Sequence, residues 1–356
     1  MRLTRRTLIK RACITGIGAA AITSVAGLKW NNASASTKNP PLEIAPITID
    51  MRSLGALKAS EPQRTRFGAF NFRKGYTLKA THDAFGGFSG LWRSPQGGEE
   101  LLAVSDQGWW LNARVMQSNE GIISGLSQAR IAPILSAKGT PLTQTRSYDT
   151  EGLCVHNGVA YVSVERVHSV VSFEWAKEGV LAKARNVPLP PDVKKLPANK
   201  SLEAIGMAPL NSALKGSLII VAERSSGAQD QKSKPTKGWI LSGPLKGSFQ
   251  IMRRDDYDIT DLGFLPNGDM LILERHFSLL RGVGMRVRRI RLADIRPDAL
   301  LDGEQVLNLE GGYAIDNMEG MSIHQDIDGR TIITFISDDN FSFFQSTIIW
   351  ETEWLG

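Results

Sequence analysis

Short apolar runs, each preceded by a turn signal, recur along the chain and predict hairpins. The turn signals are Gly97-Gly98, Asn157-Gly158, Lys215-Gly216, Asn267-Gly268 and Asp328-Gly329. The apolar runs that follow them are residues 101–105, 159–164, 217–222, 270–273 and 331–337. Asn-Gly and Asp-Gly supply the positive φ of a tight hairpin, and continuous apolar runs of this length are typical of strands buried on both faces. Helical periodicity is almost absent beyond residue 35, so the pattern predicts an all-β protein.

A five-fold repeat organises these hairpins. Each copy begins with a short, mostly acidic step, and the copies are Ser89-Gly90-Leu91, Glu151-Gly152-Leu153, Glu203-Ala204-Ile205, Asp261-Leu262-Gly263 and Glu319-Gly320-Met321. Their starts lie 62, 52, 58 and 58 residues apart, and an all-β unit repeated at such a period predicts a β-propeller. Residues 42–80 provide material for a sixth blade, and 321 residues divided by six give about 54 per blade. We therefore predict six four-stranded blades, with five as the alternative count.

The first 35 residues have the pattern of a twin-arginine export signal. Arg5 and Arg6 precede a weakly apolar stretch, and Ala33-Ser34-Ala35 is a small-residue cleavage site. A transmembrane anchor is the alternative, but the stretch is short, rich in Gly, Ala and Thr, and ends at Lys29. We predict an export signal in residues 1–35, an N-terminal segment in 36–63 as a candidate closing strand, and the propeller in 64–356. The expected location is the periplasm, reached through the twin-arginine machinery, with no stable membrane anchor after cleavage.

The charge of the chain lies in that predicted signal. The whole sequence carries a net charge of +6, and residues 1–35 contain six Lys and Arg residues and no acid, so the remainder is neutral. A net charge near zero argues against nucleic acid as a partner and favours a small-molecule substrate or a protein partner. We expect the chain to be a monomer. Cys154 is the one cysteine after residue 35, so no disulfide is expected.

Equivalent positions of successive blades face one axis, so the repeat gathers carboxylates there. The repeat starts predict four converging metal ligands, Glu151, Glu203, Asp261 and Glu319. Carboxylates at one axis repel one another unless a cation compensates, and an all-oxygen donor set suits Ca²⁺. The alternative is that these acids cap turns within each blade.

A second charged set follows the apolar runs. It consists of Asp106, Glu165-Arg166, Glu223-Arg224, Glu274-Arg275 and Asp338-Asp339-Asn340. Guanidinium groups around a funnel bind phosphate or carboxylate oxygens and neutralise charge that develops during hydrolysis. We assign catalytic roles to Arg166, Arg224, Arg275, Asp106 and Asp338, with His324 as a candidate general base. Substrate contacts are assigned to Glu165, Glu223, Glu274, Asp339 and Asn340. Ion pairs that join the blades, and a structural histidine, are the alternatives.

Several strings resemble the phytase-like family, described as having esterase-like activity of phytase. They are Gly86-Gly87-Phe88-Ser89-Gly90-Leu91-Trp92, Ser105-Asp106-Gln107-Gly108, Asp149-Thr150-Glu151-Gly152-Leu153, Tyr313-Ala314-Ile315-Asp316-Asn317-Met318-Glu319-Gly320-Met321 and Ser337-Asp338-Asp339-Asn340-Phe341. The resemblance runs from about residue 64 to the C-terminus and implies a secreted bacterial propeller that hydrolyses phosphoesters or esters.

Two function classes follow from these observations. The first is a metal-assisted hydrolase, in which the cation polarises a phosphoester or, as in lactonase-type propellers with a central calcium, a carboxyl ester or lactone. The second is a propeller without catalysis that binds a sugar, a peptide or an envelope partner in its funnel.

Overall fold

The regular structure of this chain is almost entirely β-strand. The computed structural model describes residues 42–145, 148–224, 234–278 and 282–356, and the predicted export signal lies outside them. In the described part of the chain, no helix is both long and apolar enough to cross a membrane. The strands form five sheets, which confirms the prediction of an all-β propeller, while the predicted number of six blades is wrong.

Twenty-four strands and a few short helical turns make up the described residues. In chain order the strands are β1 (Ala45–Pro46), β2 (Asp50–Ser53), β3 (Arg66–Phe67), β4 (Phe70–Lys79), β5 (Phe88–Arg93), β6 (Glu100–Ser105), β7 (Trp109–Gln117), β8 (Ile123–Pro133), β9 (Thr150–His156), β10 (Val159–Val164), β11 (Ser169–Phe173), β12 (Arg185–Val187), β13 (Leu202–Met207), β14 (Leu218–Ala222), β15 (Thr236–Ile240), β16 (Gly247–Ile251), β17 (Asp258–Phe264), β18 (Met270–Ser278), β19 (Gly282–Ile290), β20 (Leu300–Leu301), β21 (Glu304–Leu309), β22 (Asn317–Gln325), β23 (Thr331–Asp338) and β24 (Thr347–Trp354). The helical segments are α1 (Trp175–Glu178) and 3-10 turns at Leu142–Gln144, Glu165–Val167, Gly179–Leu181, Pro191–Lys195 and Leu292–Asp294.

Each sheet is one blade, and its strands follow one another outward from an innermost strand. Blade 1 is β5-β6-β7-β8 with β1 outside, blade 2 is β9-β10-β11-β12, and blade 3 is β13-β14-β15-β16 with β20 outside. Blade 4 is β17-β18-β19-β21, and blade 5 is β22-β23-β24-β4-β2, with β3 also paired to β4. The innermost strands β5, β9, β13, β17 and β22 contact one another in this order, and β22 contacts β5, so five strands close the ring.

The N-terminal residues complete existing blades, which is why a sixth blade does not form. β4 pairs antiparallel with β24 from Thr347↔Leu78 to Trp354↔Phe70, and β2 pairs with the outer edge of β4. The pairing buries Phe70 and Phe72 against aromatic rings of blade 5, with Phe70 5.2 Å from Trp354 and Phe72 6.2 Å from Trp350. β1 joins the far edge of blade 1 instead. Blade 5 therefore combines β4 from the N-terminal part of the chain with the last strand, β24.

Each innermost strand carries a β-bulge near its start. The ladder register shifts at Ser89 in blade 1, at Glu151-Gly152 in blade 2, at Glu203 in blade 3, at Thr260 in blade 4 and at Glu319 in blade 5. A bulge leaves one residue without a partner opposite it and re-aims its side chain. The next position must be small where neighbouring strands approach closely: a Cβ at Gly152 would collide with the carbonyl oxygen of Glu203. The fold thus sets five equivalent side chains at one end of the ring.

Candidate active site

The strand register corrects the predicted set of equivalent acids. The five bulged positions, here called the bulge ring, are Ser89, Glu151, Glu203, Thr260 and Glu319. Asp261 was predicted to belong with the glutamates, but it lies one residue later, where other blades have Gly or Ala. Its buried carboxylate accepts hydrogen bonds from the amides of Met321 (2.7 Å) and Leu262 (2.8 Å). Asp261 therefore joins blade 4 to blade 5, and it belongs to neither group of converging acids described below.

A second ring of equivalent positions follows the second strand of each blade. In blades 1 to 3, the backbone N–H of each member donates a hydrogen bond to the carbonyl oxygen of the residue just before the innermost strand. In blades 4 and 5, each member is the ladder partner of the first residue of the innermost strand. This rim ring consists of Asp106, Glu165, Glu223, Arg275 and Asp338. In blade 4 an arginine thus takes the place that an acid has elsewhere, and Glu274 lies one residue earlier than predicted.

Glu274 is directed into blade 4, away from the rim ring. Its carboxylate is fully buried, and it accepts hydrogen bonds from Arg286 at 2.8 Å and from Arg288 at 2.6 Å. Both arginines belong to the neighbouring strand β19. Its neighbours within the blade, not the axis, account for this side chain, which corrects the placement of Glu274 beside a substrate.

Carboxylates of blades 2 and 3 converge where the two rings meet. Two groups of three have oxygen atoms within 4.8 Å of one another, and they share Glu165. The first is Asp149, Glu151 and Glu165, and the second is Glu165, Glu203 and Glu223. All five, here called the acid cluster, are buried except the half-buried Asp149. Such proximity of like charges without water is unfavourable unless a cation or protons compensate.

The electrostatic cost concentrates on Glu203. Burial raises its pKa well above the usual value, and the charges of Glu151, Glu165, Glu223 and Glu319 raise it further. Glu319 approaches from blade 5; its Oε1 accepts a hydrogen bond from the Asn317 side chain at 2.8 Å, whereas the buried Oε2 has no hydrogen-bond partner among the described residues. The site therefore contains an excess of negative charge with oxygen atoms directed inward.

Cations border the acid cluster on the side of blades 3 and 4. Nε of Arg275 lies 2.9 Å from Oε1 of Glu319, and although burial opposes it, Glu319, Glu223 and other acids raise the pKa of this guanidinium above its usual range. Lys200 bridges Glu223 and Asp258, and its Nζ lies 2.9 Å from Asp258 Oδ2. The cations Lys200, Arg224 and Arg275 are here called the cation edge.

Arg224 binds Asp258 in a bidentate pair, with Nε to Oδ1 at 2.9 Å and Nη2 to Oδ2 at 2.6 Å. Although burial opposes it, hydrogen bonds and charge from Arg224 and the charges of Lys200 and Arg253 lower the pKa of Asp258 below its usual range. Arg166 approaches the acid cluster from blade 2, with Nε 3.8 Å from Asp149 Oδ2 and its guanidinium 4.3 Å from the Tyr148 ring centroid. Arg224 therefore forms an ion pair between blades 3 and 4, as the alternative to a catalytic role predicts, although about a third of its side chain stays exposed.

Asp339 and Asn340 shape the loop that follows β23. Asp339 accepts hydrogen bonds from the amides of Gly87 and Phe341 and from the hydroxyl of Thr347, each at 3.0 Å. Asp338 accepts one from the Asn340 amide at 2.6 Å. Asp339 thus fixes two loops at the mouth of the ring, and its substrate contact stays a prediction.

His324 lies away from both rings. It follows Glu319 by five residues along β22, which is roughly 17 Å at the rise of a strand. The ring is buried beside Gly98, and burial together with the charges of Arg93 and Arg73 lowers the pKa of His324 to about 2. The low pKa makes this imidazole a weak base, and its distance separates it from the acid cluster. The role of His324 as a general base stays a prediction.

Three residues of the site were missed from the sequence: Asp149, Lys200 and Asp258. Each lies at or just before the start of an innermost strand, two or three residues before the bulge. Asp149 and Asp258 both precede a bulged residue by two positions, an equivalence that becomes visible only once the bulge of blade 4 is known to fall on Thr260. Lys200 stands alone in its blade, and the repeat offered no signal for it.

Residues 83–341 match the family described as Phytase-like: Esterase-like activity of phytase. No curated protein matches the sequence. Among solved structures, the PQQ-bound aldose sugar dehydrogenase from Streptomyces coelicolor is 12% identical, with 87% of this chain and 99% of that chain covered and a TM-score of 0.42. Myxococcus xanthus glutaminyl cyclase is 12% identical, with 80% of this chain and 95% of that chain covered and a TM-score of 0.42. A gluconolactonase of Xanthomonas campestris is 10% identical, with 88% of this chain and 99% of that chain covered and a TM-score of 0.35. Similarity at these TM-scores indicates nothing about what this chain binds.

Proposed function

The chain belongs to the phytase-like family, and on that premise we propose that it hydrolyses phosphoesters or carboxyl esters at the acidic end of its ring. The observation that carries the proposal is the convergence of the acid cluster. Five carboxylates from two blades share one small region. Lys200 pairs with Glu223 and Arg166 lies 3.8 Å from Asp149, while Arg224 and Arg275 bind the adjacent acids Asp258 and Glu319. Buried carboxylates whose pKa is strongly raised by burial and by neighbouring charges cluster at functional sites.

The donor set of the acid cluster suits a hard divalent cation, and we propose Ca²⁺. Both groups consist of carboxylate oxygens alone, whereas zinc sites usually include His or Cys. Glu165 would hold the ion together with Glu203 and Glu223, or together with Asp149 and Glu151. Glu319, whose Oε2 has no hydrogen-bond partner among the described residues, is a further candidate donor. When bound, such an ion polarises the phosphoryl or carbonyl oxygen of an ester. Asp261 is omitted because both of its oxygens accept backbone hydrogen bonds.

The cation edge would bind the negative charge of the substrate. Arg275 lies in the rim ring itself and is always protonated, so it can donate to an oxygen that becomes negative during hydrolysis. Lys200 and Arg224 are partly exposed and hold a position between blades 3 and 4 through Asp258. Asp106 and Asp338 occupy the same ring and are the candidate acceptors for the proton of the attacking water.

Turnover after chelation and return of Ca²⁺ tests this proposal. We would measure hydrolysis of p-nitrophenyl phosphate, p-nitrophenyl acetate and phytate by the mature protein, by Glu203→Gln and by Glu151→Gln. Glu178→Gln, an exposed acid in α1, is the matched control. We expect Ca²⁺ to restore turnover of one ester class and each site variant to reduce it by about a hundredfold or more.

Stability provides a readout that does not depend on turnover. Ca²⁺ should raise the melting temperature of the parent, because an ion that binds the folded state stabilises it. Without metal, Glu203→Gln should be more stable than the parent by about 1–2 kcal/mol, since it removes one of several repelling charges. A melting shift without turnover would favour a binding propeller with a structural ion. If neither turnover nor melting responded to Ca²⁺, the metal-assisted site would be refuted.

A further inference from the structure

Three exposed phenylalanines lie at the end of the ring that carries the acids. Phe343 and Phe344 are 97% and 89% exposed and stand on the connection from β23 to β24, while Phe277 is 61% exposed near the end of β18. Phe277 lies two residues after Arg275, and Phe343 and Phe344 lie five and six residues after Asp338, at the same end of two neighbouring blades. These three side chains, here called the aromatic rim, thus share the end of the ring that carries Arg275 and Asp338.

The loop that carries Phe343 and Phe344 is held in place by side-chain hydrogen bonds. Asp316 accepts from the Gln345 side chain at 3.0 Å and from the Ser346 amide at 2.8 Å. At the other end Asp339 bonds the amides of Gly87 and Phe341. Two bare phenyl rings on a fixed loop are costly in water, because apolar surface of this size is normally buried. Phenyl rings on a fixed loop suit binding, because the loop loses little conformational entropy when a ligand binds.

Phe341 connects this apolar surface to the catalytic acids. Its φ of 48° lies in the left-handed region, where a bulky residue is strained, and Asn340 before it has the same φ. The hydrogen bonds that their backbone amides donate to Asp338 and Asp339 hold both residues there. As a result the Phe341 ring packs on Gly87: a Cβ at Gly87 would collide with Cε2 of Phe341 and with Oδ1 of Asp106. A phenyl ring and a rim-ring carboxylate therefore flank the same glycine.

We propose that Phe341 and the aromatic rim bind an apolar group, alkyl or aryl, of the ester whose polar centre is hydrolysed at the acid cluster. This inference rests on the proposed function and narrows it to esters with an apolar part, in place of polyphosphorylated polyols such as phytate. A soluble ester is favoured over a lipid surface because the Phe341 ring lies against the same glycine, Gly87, as the Asp106 carboxylate of the rim ring. A membrane would reach the exposed rings alone.

Chain-length preference tests the inference. We would compare kcat/KM for p-nitrophenyl octanoate and p-nitrophenyl acetate in the parent, in Phe343→Ser/Phe344→Ser and in Phe341→Ala. The control is Ile327→Ser, which removes a side chain 73% exposed on the turn between β22 and β23 at the opposite end. We expect the parent to prefer octanoate by about tenfold or more, the double variant to lose most of that preference, and the control to keep it. Because its two side chains are exposed, the double variant should fold normally.

The outcomes separate this inference from the proposed function. Turnover of both esters with no chain-length preference would overturn the aromatic rim and leave the hydrolase intact. If no ester were turned over, calorimetric titration with octanoate and acetate would decide. An octanoate affinity about tenfold weaker in the double variant than in the parent would support the inference, and the same octanoate affinity in both proteins would overturn it. The parent could instead bind phosphatidylcholine vesicles and the double variant fail to bind them, with the same ester preference in both. That result would overturn the inference and identify the aromatic rim as a membrane-binding surface.

Discussion

His324 provides a residue-scale test because its neutral form is fixed by the fold. Burial and the charges of Arg93 and Arg73 lower its pKa to about 2, from an ordinary value near 6.5. Between these values the unfolded chain binds a proton that the folded chain does not. His324 therefore contributes its full stability above pH 6.5, and that stability is lost as the pH falls, by up to about 1.4 kcal/mol per pH unit.

We expect His324→Gln to flatten the acid side of the stability curve. Urea unfolding of parent and variant at pH 7.5, 6.5, 5.5 and 4.5 measures the difference. The variant is expected to be less stable at pH 7.5, where it loses the packing of the ring on Gly98, and to approach or exceed the parent at pH 4.5. Parallel curves over this range would show that His324 titrates alike in both states.

At the residue scale, the sequence was informative about chemistry and inaccurate by one position. It indicated that acids at Glu151, Glu203 and Glu319 are equivalent, and the strand register places all three at bulges. It misplaced Asp261 because the bulge of blade 4 falls on Thr260, and a bulge shifts every later side chain by one position. Bulges depend on how two strands pair, so a single strand does not reveal them.

At the element scale, blade 4 offers a direct contrast between a buried and an exposed ion pair. Glu274 on β18 faces Arg286 and Arg288 on β19, and all three are buried. In the same blade the exposed Glu304 on β21 binds Arg289 at 2.7 Å. We expect Glu274→Ala to lower the free energy of unfolding by about 3–5 kcal/mol, since it leaves two buried guanidinium groups without this acid.

Glu304→Ala is the matched control and should cost less than about 1 kcal/mol, because water screens exposed pairs. Urea unfolding at neutral pH measures both variants. Ester turnover of folded Glu274→Ala at low temperature completes the test. Unchanged stability with lost turnover would return Glu274 to the substrate contact that the sequence indicated.

Strand positions were more predictable than the side chains they present. The runs at 159–164 and 331–337 coincide closely with β10 and β23, because turn residues and apolar runs are local signals. Asn157 and Gly158 both adopt positive φ, as the Asn-Gly turn required. The exposed phenyl rings of the aromatic rim had no such signal, since their exposure depends on the loop that Asp316 and Asp339 hold.

At the scale of the whole molecule, the number of blades was the property that local patterns could not fix. Division of chain length by the repeat period favoured six, because it counted residues 42–80 as a blade. In the structure these residues supply strands to two blades that are otherwise formed by later parts of the chain. The blade edge that an N-terminal strand joins depends on pairing with strands distant in sequence. The period of a repeat contains no information about such pairing.

Closure of the ring by β4 yields a prediction for the whole molecule. A chain that begins at residue 64 loses β1 and β2, together with the buried side chains of Ile49 and Leu57. A chain that begins at residue 80 also loses β4, which leaves one edge of β24 unpaired along its eight residues and removes the rings of Phe70 and Phe72 that cover Phe335 and Trp350. The first truncation removes edge strands, whereas the second opens the ring.

We expect the chain from residue 42 to melt cooperatively and the chain from residue 64 to do so at a lower temperature. The chain from residue 80 should show no cooperative transition and should aggregate, since an unpaired apolar strand edge pairs with other chains. Circular dichroism melts and size-exclusion chromatography measure both properties. Because the acid cluster lies in blades 2 and 3 and the aromatic rim in blades 4 and 5, an open ring would also lose the geometry that joins them. A cooperative melt of the shortest chain at the parent temperature would show that β4 does not close the ring.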